Sequence, residues 1–497
     1  MKTYKAYTAS AMMINFAIGT GVLNLPKTVA RASIIVSFIL LTIVTFGAYL
    51  LGRYTLDALA RTFAIKRAQQ CLKEQISTTT ATAIPNIEEN IVLHNGQEDT
   101  VMQTEPDYSL PNDYTYEFSE LCEIHWGKAG FIIYQITIIL YIFGTLWGYT
   151  SVVAQSMSSV VPFGSNWECA DPCGTSYAHL CNVAYYVWTY VALVYCSIMI
   201  FFDLSKQKIL QAIFTIFRFV SVGGIALIAF IAIFIGPFNT TSVTPAPPVV
   251  SKTAYIQDTP LFAFTVRSFG SIFSSSTFAI ILHHCIPNVL KPVQSEQQKY
   301  LNHSFTGTFV FLYFIMAFVA YPSALYFGTE GSQLITLNLI KWDGKNWNAT
   351  SQPVWAAIIA YGIRVLPPIY VLGAIPINGF SMCYNVLAIF PQMREKKWFA
   401  AVIKLVCVIP PMILAGFFRC IGDIIDLTGL FGFIILVSPA FILIKAKKTT
   451  KQLFGSVKTS YSGFCDQDWL IIVVMCFNGI GFGFTLFAVI MNFIGPP

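Results

Sequence analysis

Charge is what this sequence has least of: Asp, Glu, Lys and Arg make up 11% of its 497 residues, against about a quarter in ordinary soluble domains. That shortage, with 55% hydrophobic residues and a mean hydropathy of +0.64, excludes a water-soluble globular chain. Groups that carry chemistry are scarce as well. There are 6 histidines, and the apolar stretches contain no H-E-x-x-H, no His and carboxylate cluster and no Ser-His-Asp set of workable spacing. The sequence therefore predicts a protein that is not an enzyme and needs no cofactor or metal. Its net charge of +6 sits in loops, which argues against a nucleic-acid partner and for the lipid bilayer.

What the sequence has instead is apolar blocks of membrane-crossing length, about 20 residues each. Eleven can be counted, at 8–31, 33–56, 129–161, 183–202, 209–235, 260–286, 304–327, 353–378, 399–418, 424–445 and 468–493. No small-residue cleavage site follows the first, so it reads as a retained span. Loops on the N-terminal side carry Arg53, Arg61, Lys66, Arg67, Lys291, Lys299 and the run Lys445, Lys447, Lys448, Lys451 and Lys458. The opposite loops carry only Lys27, Arg31, Lys252, Lys341, Lys345 and Arg419. The positive-inside rule then predicts a cytosolic N-terminus and an outside or lumenal C-terminus, in the plasma membrane or an endolysosomal one.

The outside loops hold the sequons at Asn239 and Asn348, so these asparagines are glycosylation candidates. Cys169, Cys173 and Cys181 share one outside loop, where two can pair and one is left over, while the other cysteines read mostly as apolar packing. Residues 66–115 are acidic and poor in large apolar side chains, which predicts a disordered cytosolic loop. Just after it, Phe118, Leu121, Cys122 and His125 recur at helical spacing, an amphipathic lead into the third span.

The first span is interrupted at its centre. NFAIGTGVLNLP places Asn15, Gly19, Thr20, Gly21 and Pro26 where a simple crossing helix would hold Leu or Val. Gly19 and Gly21 are two apart and so do not form a four-spaced packing face. Broken backbone at bilayer depth is tolerated only where it lines a cavity or is buried in protein. A second irregular stretch, RSFGSIFSSSTFAII, crowds Ser274, Ser275, Ser276 and Thr277 into the sixth span, the first of a second set of five. Interrupted spans in corresponding positions of two halves point to a transporter with inverted repeats, here about 8–235 and 260–445, followed by a linker and an eleventh helix over 446–497.

N-x-x-x-G-T-G-x-L-x-x-P in span one, YEFSELCEIHWGKAG before span three, IPNVLKPVQSEQQ after span six and YFGTEGSQLITLNL after span seven resemble the amino acid/auxin permease family, within the amino acid, polyamine and organocation transporters. The resemblance implies an all-α membrane protein of eleven helices with a leucine-transporter-like fold of five plus five inverted helices and one extra. It implies a substrate near the midplane between the two broken helices. Gly19, Thr20 and Gly21 would then offer backbone N–H groups to a carboxylate, and carbonyls freed at 273–277, with the hydroxyls of Ser274 to Thr277, would take an ammonium. Such a pair of sites suits an amino acid or a similar small zwitterion.

In sodium-coupled relatives an Asn at the position of Asn15 resembles an ion ligand that works with a hydroxyl on span eight. Here span eight, read as 353–378, has no Ser or Thr, which favours a proton as coupling ion over sodium. No Asp or Glu falls in the core of a span: Asp57, Asp203, Asp423 and Asp426 all read as lying at span ends. His284, beside His283, is then the candidate titrating group, with a satisfied interfacial histidine as the alternative. Arg218, Arg267 and Arg364 enter spans, and Arg364, mid-span, is the candidate gate. The leading expectation is a secondary active transporter, with a substrate-binding sensor or scaffold as the alternative.

Overall fold

The computed structural model describes residues 3–80, 106–111, 114–161, 169, 179–202, 208–235, 259–344, 347, 349, 351–393, 395–455 and 458–494. The expected sequons at Asn239 and Asn348, and Cys173, lie outside them. The first crossing is a bent pair, α1 (Ala6–Ala17) and α2 (Gly21–Ala32), with 61° between them. Then follow α3 (Ile34–Thr80), α4 (Phe118–Val160), α5 (His179–Met199) and α6 (Lys208–Ile235). The sixth crossing is α7 (Val266–Ile280) and the short α8 (Ile286–Leu290), joined by a 3-10 turn at His283–Cys285. α9 (Leu301–Phe327), α10 (Val354–Ile389), α11 (Lys397–Phe417), α12 (Ile421–Phe454) and α13 (Asp468–Ile494) complete the chain. Among the described residues ten helices, α7 and α8 taken as one, are long and apolar enough to cross a membrane, and the α1/α2 pair taken as one span makes eleven.

The span-one break occurs where it is expected. Ile18 leaves the helix at ψ 85°, and the Gly19 N–H turns to the Ala17 carbonyl at 2.8 Å. The span-six break does not. α7 runs unbroken through Ser274 to Thr277, and the chain leaves helical geometry only at Ile281 and Leu282. The carbonyls of residues 273–277 are therefore not free. Those beyond the last intrahelical bond, Ile281 N–H to Thr277 O at 3.1 Å, are of Phe278, Ala279 and Ile280.

Two further expectations are corrected. The loop predicted to start at 66 starts later, because α3 is 47 residues long and projects well past a bilayer of about 30 Å. A buried ion pair anchors it: Arg61 meets Asp57 at 3.1 Å, reaches Thr450 of α12 at 3.0 Å, and Asp57 accepts from Thr459 at 2.5 Å. With both charges hydrogen-bonded, their desolvation cost is offset. At the other end of the predicted loop, residues 106–111 dock on the body: Gln298 exchanges two hydrogen bonds with the Leu110 backbone, at 3.1 and 2.6 Å. The second correction concerns cysteine. Cys169 pairs with Cys181, and Cys420, which the sequence leaves among the packing cysteines, is disulfide-bonded too.

α4 contains the lead-in helix expected from its spacing. Phe118, Leu121, Cys122 and His125 are buried, and Gly127 at φ 68° sets this stretch off from the span proper. That left-handed value is open to glycine and strained for most other residues. Below, the side bearing the α3 extension and Lys445 to Lys451 is the basic face, and the side bearing Cys169, Cys181 and Cys420 is the disulfide face.

Candidate functional site

The two breaks lie against one cavity of about 580 Å³. Asn15, Ala17 and Gly19 reach it from span one, Phe278, Ile281 and His284 from span six. Its walls are aromatic: Tyr141 packs 5.9 Å from both Phe278 and His284, and the Tyr149 hydroxyl lies 3.4 Å from where a Gly19 Cβ would stand. The lining runs on to Tyr4, Pro292 and Asn385, so the cavity reaches toward the basic face. α2 begins at the break, where the Gly21 and Val22 N–H groups have no helical partner and Leu23 donates to the Thr20 carbonyl at 3.0 Å, while α7 ends there with unshared carbonyls. Gly19, just ahead of α2, and Phe278 and Ile281, at the end of α7, line the hollow, which therefore lies between a positive and a negative helix end, an arrangement that suits a zwitterion.

Arg218 of α6 sits in this cavity. Its Nη1 donates to the Asn15 carbonyl at 2.5 Å and to Asn15 Oδ1 at 2.9 Å, and its guanidinium lies 5.3 Å from the Tyr370 ring. In a continuous helix the Asn15 carbonyl would accept from Gly19; the break releases it and the arginine takes it. Thr215, one turn earlier on α6, donates to the same Asn15 Oδ1 at 3.1 Å. Both oxygens of Asn15, the residue expected to take part in ion coupling, therefore face a cation of the protein itself. The partner hydroxyl comes from α6 and not from span eight. α10 does extend past the expected end at 378, and there Ser381 lines the cavity with Asn378 and Asn385.

Of the residues expected to bind substrate, the structure brings only Gly19 to this cavity. Gly21 faces α7, where an added Cβ would stand 2.7 Å from the Phe278 ring and 3.2 Å from the Ala279 backbone. It is a packing glycine, contrary to the spacing argument, because its partner is a single close helix crossing and not a four-spaced seam. Ser275 accepts from Asn24 of α2 at 3.3 Å, and Ser274 donates to the Ile425 and Asp426 carbonyls of α12 at 3.2 and 3.1 Å. Thr20, Ser276 and Thr277 are buried. Together α2, α7 and α12 form a partition, and the Ser/Thr run belongs to it.

Beyond the partition, toward the disulfide face, lies a second cavity of about 680 Å³, with Arg31, Arg267, Asp423 and Asp426 among its walls. Asp426 lies in the second turn of α12, near the span end where the sequence places it, and is buried there. Arg364 lies on neither cavity. It donates to the Ser159 carbonyl at 3.0 Å and, with Tyr361 on Val160 at 2.5 Å, caps the last carbonyls of α4. Both adjacent histidines leave Nδ1 without a partner; His283 bonds the Ala48 carbonyl through Nε2 at 2.8 Å, and the His284 ring faces the inner cavity. Among the described residues no group of His, Cys, Asp and Glu could hold a metal ion.

Comparison with known proteins bears on the family and the fold. The chain is 21% identical to a transmembrane protein 104 homologue of Drosophila melanogaster over 95% of this chain and 94% of that protein. It is 22% identical to transmembrane protein 104 of Homo sapiens, over 91% and 89%. Among solved structures, the Eremococcus coleocola manganese transporter in complex with an aromatic bis-isothiourea substituted compound superposes with a TM-score of 0.55 at 11% identity, covering 99% of this chain and 88% of that one. Such low identity carries the fold alone, and that fold is the leucine-transporter-like one. The model of the family described as transmembrane amino acid transporter protein matches residues 102–491, most of the sequence, and the chain belongs to that family.

Proposed function

We propose that the protein is a secondary transporter of amino acids or similar small zwitterions, working by alternating access, with its N-terminus in the cytosol. The observation that carries this reading is the inner cavity, where the N-terminal end of α2 and the C-terminal end of α7 meet. The substrate carboxylate would take the free N–H groups at the start of α2, and its ammonium the carbonyls of Phe278 to Ile280. Membership of an amino acid transporter family supports the substrate class. In this conformation the cavity reaches the basic face and the α2, α7 and α12 partition closes the other side. Transport then requires α7 to part from α2 and α12.

Coupling to protons, and not to sodium, fits Arg218. A guanidinium already occupies the oxygens of Asn15, and a second cation placed there would be repelled. His284, unpaired at Nδ1 and facing the same cavity, is the group proposed to carry the proton. The test is uptake of labelled amino acids into proteoliposomes under an inward proton gradient, an inward sodium gradient, or neither. The proton gradient alone is expected to drive accumulation, and accumulation that requires sodium would overturn the coupling assignment.

A further inference from the structure

The cavity on the disulfide face holds a buried carboxyl of an unusual kind. Asp426 is 2% exposed, yet among the described residues no cation lies within ion-pair distance of it, whereas Asp57 has Arg61 at 3.1 Å. Its contacts are the Ser271 hydroxyl, at 2.8 and 3.1 Å, and the Asn492 amide at 3.4 Å. A carboxylate has about four acceptor positions, so these two neutral donors do not fill it. A lone charge at this depth costs several kcal/mol unless it is neutralised. Asn24, 1% exposed, lines the same cavity: its amide is spent on Ser275 and its Oδ1 has no partner. Two buried acceptors on one hollow call for a cationic donor.

Of the basic groups that surround them, two already hold hydrogen bonds and one, among the described residues, holds none. Arg267 donates to Asn492 at 2.7 Å, and Lys27 to the carbonyls of Thr329 and Gly331 at 2.6 and 2.5 Å. Arg31 of α2 is exposed, makes no hydrogen bond or ion pair among the described residues, and lines the same cavity as Asp423 and Asp426. Asp423 accepts from Asn492 at 3.1 Å, and Glu330 stands on the wall beyond Lys27. An open guanidinium opposite open acceptors matches a carboxylate and an ammonium held in one small molecule.

We propose that this cavity is a second amino-acid site, with the ammonium on Asp426 and Asn24 Oδ1 and the carboxylate on Arg31. It would hold substrate on the disulfide side of the partition before α7 parts from α2. The proposal rests on the transport reading for the identity of the ligand, but it makes a separate count. The test is equilibrium binding to the full chain in nanodiscs, using each of the twenty proteinogenic amino acids in labelled form. Wild type is expected to bind two molecules of the preferred amino acid per chain. Asp426→Asn and Arg31→Gln, the second an exposed change that spares folding, are expected to weaken one of the two by at least about tenfold, the loss of a charged hydrogen bond. Arg218→Met should weaken the other by about 10- to 100-fold. One molecule per chain, unchanged in both outer variants and weakened in Arg218→Met, would overturn the second site and leave the transport reading standing. If no amino acid binds wild type, both fall.

Discussion

The two broken spans teach different lessons. Span one breaks at 18–20 beside Gly19, and its freed Asn15 carbonyl is caught by Arg218 at 2.5 Å. Span six is irregular in composition at 270–277 but helical there, and it breaks at 281–282, where no glycine or proline stands. Serine and threonine do not by themselves unwind a helix: Ser274 hydrogen-bonds across to α12 and Ser275 to Asn24, so the polar run is spent on tertiary contacts. One break is thus written in local propensity, the other in what α7 packs against. Gly19 and Gly21 repeat the contrast at smaller scale, one on the cavity and one in the partition.

The largest expected effect breaks that contrast at the partition. Gly21→Leu drives a side chain into the Phe278 ring and the Ala279 backbone, which cannot yield as a flexible side chain would. Overpacking of this kind costs about 1–3 kcal/mol, so a lower melting temperature and loss of uptake are expected together. Unchanged melting with loss of binding would move Gly21 from the partition into the site.

A smaller effect is expected at the arginine. Arg218→Met leaves the Asn15 carbonyl without its donor, and uptake should fall about 10- to 100-fold, the worth of a charged hydrogen bond. Arg218→Lys keeps the charge but not the paired contact to Asn15 O and Oδ1, and should recover part of the rate. If Met and Lys behave alike in flux assays, the charge is not what span one uses. The smallest effect sharpens the comparison from outside. Deleting residues 82–105, between the α3 extension and the docked 106–111 segment, should leave flux unchanged. Absence of flux in the full chain, with substrate binding intact, would favour a sensor that signals through this loop.

Much of this was legible in the sequence, and the failures share a cause. Eleven crossings, the span-one break and the buried face of the α4 lead-in follow from runs, glycines and period, all of them local signals. Composition also marked Arg218 as intramembrane, but not its target, which lies 203 positions away. Asp426 looked like a span end because α12 begins only five residues before it, yet Ser271 and Asn492 of other helices close over it. The α3 extension was hidden in the same way. Its polar composition reads as loop until Thr450 and Thr459, far along the chain, supply partners for Arg61 and Asp57.

The central claim is that substrate sits in the inner cavity at the span-one break, and Gly19→Trp tests it most directly. Gly19 meets nothing nearer than the Tyr149 hydroxyl at 3.4 Å, so a large side chain enters the cavity without disturbing the partition. Amino-acid binding and melting temperature would be measured side by side in wild type and variant. The expected result is an unchanged melting temperature with binding at the Arg218-dependent site abolished. Wild-type affinity at that site in the folded variant would contradict the claim.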